Sequence, residues 1–475
     1  MPKNGGAVER QVDEESIRTV PKLRIETDFV QQTGGTNIIE HPAPSEDGTW
    51  YKEGLNLVLS VTGGGAVPYA WSVSRIALAL SIFSETVQIW TAMLYLTAVL
   101  LVGLVTARVL ASHDRSAEGK RHQRLQDVAE EHLAPFTADV TATIPQQITL
   151  IGLPVTFFIS GSVSLDLIGR YLAGDPLGPF DTEVATPGGF IAFTVIAAGL
   201  STFRGYQGIW KFALVAFGCV VAYRLLTLAT DVIQIWQFGV GGAVCPAPSP
   251  DWRVRFSELC VALGTVVQCL NITGVLTEVQ ATMREPPPAR ESIGRAVALG
   301  YGVAGTYALS AGLLGYLAFG HCVRQNLLVE TLPPPLGWIP ALTNALAIPD
   351  VLASTLVFSQ PVIDDLERQL QRALASCGRG FSPGVLRAFV GPLLMASYGV
   401  IAYAFPQIAT MSALIGGLSS IPLTFILPSL IQASLSQRAG QRAVFFGIAG
   451  LGVVLAIAST SGSLYGLIQE LLGRY

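Results

Sequence analysis

The stretch that decides the fold is Thr62-Gly63-Gly64-Gly65-Ala66-Val67-Pro68-Tyr69. It lies within an apolar segment, about 54–80, that is long enough to cross a bilayer. Each glycine disfavours a helix by about 1 kcal/mol relative to alanine, and Pro68 lacks the amide that would bond the carbonyl of Gly64. The pattern predicts a membrane helix that is interrupted at mid-depth. A glycine-rich face packed on a neighbouring helix is the alternative.

The composition indicates an integral membrane protein. Of the 475 residues, 51% are hydrophobic and 13% are charged, whereas soluble proteins carry about 25% charged residues. The net charge of −4 gives no reason to expect a nucleic acid or an acidic partner. The histidines fall outside the apolar segments and the cysteines form no CxxC pair, so we expect no metal, no cofactor and no enzymatic site. Residues 1–50 have no apolar core and predict a disordered tail without a signal peptide.

Ten further apolar segments extend the prediction to eleven membrane helices in an all-α polytopic domain over residues 51–475. Predicted helices 2 to 11 cover about 86–108, 146–172, 188–203, 210–232, 256–283, 295–319, 338–368, 386–404, 408–433 and 443–468. Lysine and arginine are concentrated in the tail and in the segments on the same side of the membrane. Because cytoplasmic segments carry an excess of these residues, we expect a cytoplasmic N-terminus.

The eleven predicted helices divide into two halves of similar length. Residues 54–232 and 256–433 contain five helices each, and 443–468 is an extra helix. Five is an odd number, so the halves have opposite orientations. Predicted helix 6 has its own weak point at Asn271-Ile272-Thr273-Gly274. Interrupted helices at matching positions of two inverted halves are the sequence pattern of a midplane substrate site in a secondary transporter.

The two interruptions predict a site for a zwitterion. Backbone amides after the break in helix 1 lie at the positive end of a half-helix and suit a carboxylate, while carbonyls before the break in helix 6 suit an ammonium group. The substrate side chain would meet Asn271, Thr273 and apolar groups. The candidate substrate-binding residues are Gly63, Gly64, Gly65, Ala66, Val67, Asn271, Ile272, Thr273 and Gly274.

Several polar residues inside the predicted spans are candidates for ion coupling, because charges in a membrane are costly. Asp350 is either a proton carrier or a carboxylate neutralised by a base such as Arg224. Ser354 and Thr355 could ligate a cation, although such hydroxyls more often bond their own backbone.

Other polar residues predict gating or structural contacts. Glu278 is either an inside gate, paired with a base of the tail or of helix 8, or a plain interfacial carboxylate. We favour a structural role over a functional one for two further pairs. Arg224 and Asp231 share one face of predicted helix 5, and Asp166 and Arg170 have i,i+4 spacing. Two cysteines in loops that are predicted to lie outside, Cys245 and Cys322, could pair.

A motif at the end of predicted helix 6 resembles a known family. Glu278-Val279-Gln280-Ala281-Thr282-Met283-Arg284-Glu285-Pro286 is similar to E-[IV]-Q-A-T-[MI]-x-x-P of the amino acid/auxin permease family, and the lysine/histidine-transporter-like branch is nearest. Weaker matches are Val67-Pro68-Tyr69-Ala70, Gly315-Tyr316-Leu317-Ala318-Phe319-Gly320, Pro361-Val362-Ile363-Asp364 with Glu367, and Ala404-Phe405-Pro406. The chain departs from the branch at Ile272-Thr273, where Gly-His is usual, and at Asp350, where a histidine is frequent.

The resemblance implies a LeuT-like, APC-type fold, a five-plus-five inverted repeat in which helices 1 and 6 are broken. It also implies import of amino acids, often with protons. We therefore expect a proton-coupled amino acid symporter in the plasma membrane, whose partners are the substrate, the proton and the lipid bilayer. The alternatives are an auxin or other small carboxylate as substrate, sodium coupling, and an amino acid sensor that does not transport. A channel would need repeated polar rings, which the sequence lacks, and the oligomeric state stays open.

Overall fold

The computed structural model describes residues 49–51, 54, 57–58, 68–80, 84–113, 115–116, 119, 121–122, 124–174, 184–203, 205–241, 251–285, 287–329, 338–376 and 382–472. Gly63, Gly64, Gly65, Ala66 and Val67, nearly all of the predicted tail, and Cys245 lie outside these residues. The interruption that the glycines predict in helix 1 is therefore not described.

Within the described ranges the regular elements are helices, apart from an isolated bridge between Arg115 and Arg121, which confirms the all-α class. The helices are α1 (Tyr69–Ala79), α2 (Glu85–Ala111), α3 (Pro135–Leu172), α4 (Pro187–Ser201), α5 (Gly205–Phe238), α6a (Trp252–Cys269), α6b (Thr273–Ala281), α7 (Ala289–Phe319), α8 (Trp338–Ser376), α9 (Pro383–Ala404), α10 (Ile408–Leu435) and α11 (Ala439–Leu471). A short helix, Leu125–His132, lies between α2 and α3.

Nine of the described helices, counting α6a with α6b as one, are long and apolar enough to cross a membrane. The helix α4 has 15 residues, and α1 is described over 11. A multi-pass membrane protein is thus confirmed, whereas the count of eleven spans stays a prediction.

Several helices extend beyond the apolar segments that predicted them. α3 begins at Pro135 rather than near 146 and passes through a π-helical stretch, Asp139–Thr143. α8 continues to Ser376 instead of ending near 368. Hydropathy marks where side chains leave the lipid, whereas the backbone hydrogen bonds of a helix continue into the polar region.

The predicted interruption of helix 6 is present between α6a and α6b. α6a ends at Cys269, and α6b begins at Thr273. The side-chain carbonyl of Asn271 accepts a hydrogen bond from the Thr273 amide at 2.9 Å. This local bond offers the backbone an alternative to the helical pattern, which explains why the break falls at an asparagine.

Glycines let α6a approach α10 and α11 closely. A Cβ added at Gly264 would lie 1.7 Å from Ser459 Oγ, and one at Gly416 would lie 2.3 Å from the Gly264 carbonyl oxygen. Ser459 donates to the Ala413 carbonyl at 2.7 Å across the same contact. Small residues at such crossings are typical of membrane helix packing.

The segment between α2 and α3, residues 112–134, is here called the connector, and it holds the end of α6b. Arg121 donates to the carbonyls of Ala281 and Met283, at 3.2 and 3.0 Å, where the helix has its negative end. Glu285 forms ion pairs with Arg115 at 2.7 Å and with Arg121 at 3.1 Å.

The connector also reaches a second helix. Arg124 pairs with Asp365 of α8 at 3.0 Å. One segment therefore contacts both the end of α6b and α8 at Asp365.

The Gly264 contact predicts a specific packing defect. Gly264→Ala should destabilise the protein by about 1–3 kcal/mol, because the new methyl group displaces Ser459 from its bond to Ala413. Thermal unfolding in detergent measures this effect. Gly447→Ala on α11 is the control, since nothing lies within 4 Å of that position. Equal melting temperatures for the two variants would contradict the prediction.

The connector contact predicts a change in amide exchange. Glu285→Gln should speed hydrogen exchange across 112–134, because Arg115 and Arg121 lose their shared carboxylate. The hydrogen bond from Arg115 holds the pKa of Glu285 below its ordinary value. The stabilisation is therefore present at neutral pH and is lost as the pH falls through that lowered pKa, so wild type and variant should converge in acid.

The control for this measurement is Glu291→Gln, which removes an exposed pair with Arg295 within α7. It should leave exchange in the connector unchanged. Identical exchange in wild type and Glu285→Gln at neutral pH would show that the ion pairs do not hold the connector.

Candidate functional site

The first turn of α1 meets the interruption of helix 6. The hydroxyl of Tyr69 donates a hydrogen bond to the Cys269 carbonyl at 3.0 Å, and both residues are buried. Cys269 is the last residue of α6a, so its carbonyl belongs to the negative end of that half-helix. Further along the same pair of helices, Arg75 lies 3.6 Å from Glu258. α1 and α6a therefore run side by side from the break to this ion pair.

The break itself is lined by polar groups that carry no charge. Asn271 accepts hydrogen bonds from the backbone amide and from the hydroxyl of Thr273. Its amide nitrogen donates to the Ser420 hydroxyl of α10 at 3.0 Å. Asn271, Ile272, Thr273 and Gly274 are all buried here. The structure thus brings the four candidate residues of helix 6 together with Tyr69 and Ser420.

α3 closes the side of the break that continues into α6b. Gln146 donates to the Gly274 carbonyl at 3.2 Å, and a Cβ on Gly274 would lie 2.8 Å from the Thr149 methyl group. Thr149 also forms a hydrogen bond with Ser419, the neighbour of Ser420 on α10. The glycine at 274 is therefore required by the close approach of α3.

The candidate gate residue Glu278 faces α3. Gln146 donates to its carboxylate at 3.3 Å, and no described residue forms an ion pair with it. The tail and α8 were the expected sources of a basic partner. A role of Glu278 as a gate stays a prediction.

The candidate coupling residue Asp350 is fully buried at the contact of α8 with α5. Its carboxylate accepts hydrogen bonds from Tyr223 at 2.8 Å and from Ser354 at 3.4 Å. Arg224 lies within electrostatic range, and its guanidinium stacks on the Tyr307 ring at 3.9 Å. Arg224 and Asp350 thus lie near each other, and the role of this pair stays a prediction. Sequence reasoning missed the Tyr223 hydroxyl as a partner of Asp350, and the only available signal was the place of Tyr223 beside Arg224.

The two hydroxyl residues that follow Asp350 have different partners. Ser354 donates to the Asp350 carboxylate, whereas Thr355 donates to the Val351 carbonyl of its own helix at 2.7 Å. The bond of Thr355 is the ordinary one for a hydroxyl in a membrane helix.

Comparison with known proteins identifies the family. A family model described as "Transmembrane amino acid transporter protein" matches residues 46–468. The chain belongs to the transmembrane amino acid transporter family. Amino acid permease 4 of Arabidopsis thaliana is 25% identical over 425 residues, which cover 83% of this chain and 86% of the relative. Lysine histidine transporter-like 6 of the same plant is 23% identical over 450 residues, which cover 90% and 92%.

A solved structure shares the fold. The crystal structure of MhsT in complex with L-phenylalanine matches with a TM-score of 0.57 and 12% identity, covering 86% of this chain and 98% of that chain. This likeness confirms the LeuT-like fold class. Membership of a transporter family also confirms that this chain is not an enzyme and that its resemblance to amino acid permeases holds.

One of the motif matches noted in the sequence has a structural role here. Arg387 of α9 is buried and donates to Asp364 of α8 at 2.6 Å. It also lies 3.5 Å from Glu367 and forms a hydrogen bond with Gln360. Asp364 and Glu367, the acidic residues of this match, therefore link α8 to α9 through Arg387.

The remaining polar expectations have mixed outcomes. Asp166 and Arg170 form the expected ion pair at 3.0 Å. Asp231 lines a small cavity with Thr230 and Thr343. Cys322 is disulfide-bonded. Its pairing with Cys245, which lies outside the described residues, stays a prediction.

The contact between α1 and α6a predicts a stability effect. Tyr69→Phe should destabilise the protein by about 1–3 kcal/mol, because the buried Cys269 carbonyl loses its donor. Thermal unfolding without substrate measures the loss. The control is Tyr171→Phe, an exposed tyrosine at the end of α3. A Tyr69→Phe variant as stable as the control would show that the carbonyl has another partner.

Proposed function

We propose that this chain is a secondary active transporter that carries amino acids into the cell together with protons. The substrate site lies between the first turn of α1 and the interruption of helix 6. The observation that carries this proposal is the bond of Tyr69 to the Cys269 carbonyl, which joins the first turn of α1 to the end of α6a at the break.

The chemistry of the break supports a zwitterionic substrate. The end of α6a presents the negative pole of a half-helix, which suits an ammonium group. The side chains that line the break, Asn271, Thr273, Tyr69 and Ser420, are polar and uncharged, so the ligand must bring balanced charges of its own. The substrate carboxylate would bind the amides of Gly63, Gly64, Gly65, Ala66 and Val67.

Asp350 is the residue proposed to carry the coupling proton. Its burial makes a permanent negative charge costly, and Arg224 offsets that charge only while the two side chains stay close. Proton binding would neutralise Asp350 and weaken its attraction to Arg224 on α5. A change in the contact of α5 with α8 could then accompany alternating access. Ser354 acts in this proposal as a hydroxyl partner of Asp350, and Thr355 as a structural residue.

The arrangement of helices supports the five-plus-five inverted repeat. α1 packs on α6a and α3 packs on α8, and in each pair the second helix is five positions after the first. An inverted repeat relates helix 1 to helix 6 and helix 3 to helix 8 across one axis, so such pairs are expected to meet near that axis.

The two ends of α7 support a cytoplasmic N-terminus at a plasma membrane. Its first residue, Ala289, lies near the connector, which carries Arg115, Arg121 and Arg124. Its other end leads to the disulfide-bonded Cys322. Basic residues favour the cytoplasmic face, and disulfides persist on the oxidising face. We therefore assign the connector to the cytoplasm.

Uptake into proteoliposomes tests the function. Purified protein should accumulate labelled amino acids when the outside is acidic, and a protonophore should abolish the accumulation. An imposed sodium gradient at equal pH should have little effect. Accumulation driven by the sodium gradient alone would show that the coupling ion is sodium and not the proton. No accumulation of any amino acid under either gradient would refute transport.

A substitution of Asp350 tests the coupling. Asp350→Asn should reduce gradient-driven accumulation at least tenfold, because the amide cannot bind and release a proton. Exchange of labelled for unlabelled amino acid at equal pH should persist, since it needs no net proton movement. Asp166→Asn, which alters the ion pair with Arg170, is the control. Parallel loss of uptake and exchange in Asp350→Asn would indicate a structural role.

A further inference from the structure

We propose that Ser420 of α10 is a positioning residue for substrate selection, because it holds the Asn271 amide with one N–H directed to the bound side chain. The inference rests on the proposed substrate site at the break of helix 6. It assigns a preference for amino acids whose side chains carry a hydrogen-bond acceptor.

The hydrogen-bond capacity of Asn271 leads to this assignment. An asparagine side chain offers one carbonyl oxygen with two acceptor sites and one amide nitrogen with two donors. Here the oxygen accepts from the amide and from the hydroxyl of Thr273. The nitrogen gives one hydrogen to Ser420 at 3.0 Å. The second hydrogen meets no acceptor among the described residues, and Asn271 is only 3% exposed.

The orientation of the amide is set by its neighbours. A flipped Asn271 would place its NH2 group against the Thr273 backbone N–H, so two donors would face each other. Thr273 therefore selects which way the planar amide is flipped, and the bond to Ser420 further restricts its χ2 torsion. The remaining donor belongs to a residue of the break, between the end of α6a and the start of α6b.

Ser420 is itself held firmly. It is fully buried in a π-helical stretch of α10, Gly416–Ser420, and such stretches are frequent at functional sites. Gly416 packs against the Gly264 carbonyl of α6a, which keeps α10 beside the broken helix. The adjacent Ser419 turns to α3 instead and donates to the Pro145 carbonyl at 2.5 Å. The two neighbouring serines thus form hydrogen bonds with different helices, Ser419 with α3 and Ser420 with Asn271 at the break of helix 6.

A hydrogen-bond acceptor on the substrate side chain would accept the second N–H of Asn271 and complete the hydrogen bonds of this amide. In the proposed site the carboxylate binds at helix 1 and the ammonium group at the end of α6a, so the side chain is the part that reaches Asn271. One neutral hydrogen bond corresponds to a roughly five- to tenfold difference in affinity. Threonine should therefore bind about five- to tenfold more tightly than valine, which has the same shape, and asparagine more tightly than leucine.

Competition binding to the purified protein tests the inference, with uptake measured in parallel. In wild type, the threonine-to-valine affinity ratio should be about five to ten. In Ser420→Ala the ratio should fall towards one through weaker threonine binding, while valine binding stays within twofold. Ser420→Thr, which keeps the hydroxyl, should restore the ratio. The matched control is Ser419→Ala, which removes a neighbouring buried hydroxyl and should leave the ratio unchanged.

The outcomes separate this inference from the proposed function. A wild-type ratio near one, an unchanged ratio in Ser420→Ala, an equal fall in Ser419→Ala, or no binding of either amino acid would overturn it. If the ratio falls only in Ser420→Ala while reconstituted uptake fails, the positioning role stands and the assignment of coupled transport does not.

Discussion

Backbone groups freed by an interruption inside a membrane must find partners within the protein, and the centre of this molecule is organised by that requirement. Lipid offers no hydrogen bonds, so an unwound turn persists only where the surrounding side chains supply them. Here the supply comes from two neighbouring helices and from the break itself. Tyr69 of α1 donates to the carbonyl of Cys269, Gln146 of α3 donates to that of Gly274, and Asn271 of the break accepts from the amide of Thr273. The turn is thus stabilised from several sides at once.

The same arrangement explains why the break is proposed as the ligand site. A continuous helix uses its peptide groups internally, whereas a broken one has two ends of opposite polarity facing one gap. The protein satisfies some of these peptide groups, and in the proposed site the second N–H of the Asn271 side chain is available to a ligand. The polar groups that stabilise the turn and those that could select a substrate therefore belong to one network.

Local patterns in the sequence predicted much of this fold, because they report local physics. Apolar segments predicted the helices, and Asn271 followed by Gly274 predicted the interruption of helix 6. The partners that hold the interruption were not predictable in this way. Tyr69 and Cys269 are 200 residues apart, and Asn271 and Ser420 are 149 apart. Such contacts depend on which helices become neighbours, and a single sequence carries no direct signal for that choice. For the same reason, the carboxylates of Asp364 and Glu367 gave no hint of Arg387.

The ion pairs described for the ends of the helices differ in how easily they separate. Arg387 is 3% exposed and pairs with two carboxylates, those of Asp364 and Glu367. Separating α8 from α9 would therefore leave the buried Arg387 charge without a partner, which is costly. Arg115 and Arg124 are nearly half exposed, and water and salt can replace their partners at little cost. The pairs of Arg115 and Arg124 should therefore separate at a lower free-energy cost than the pairs of Arg387, so the contact of α8 with α9 is the more durable of the two.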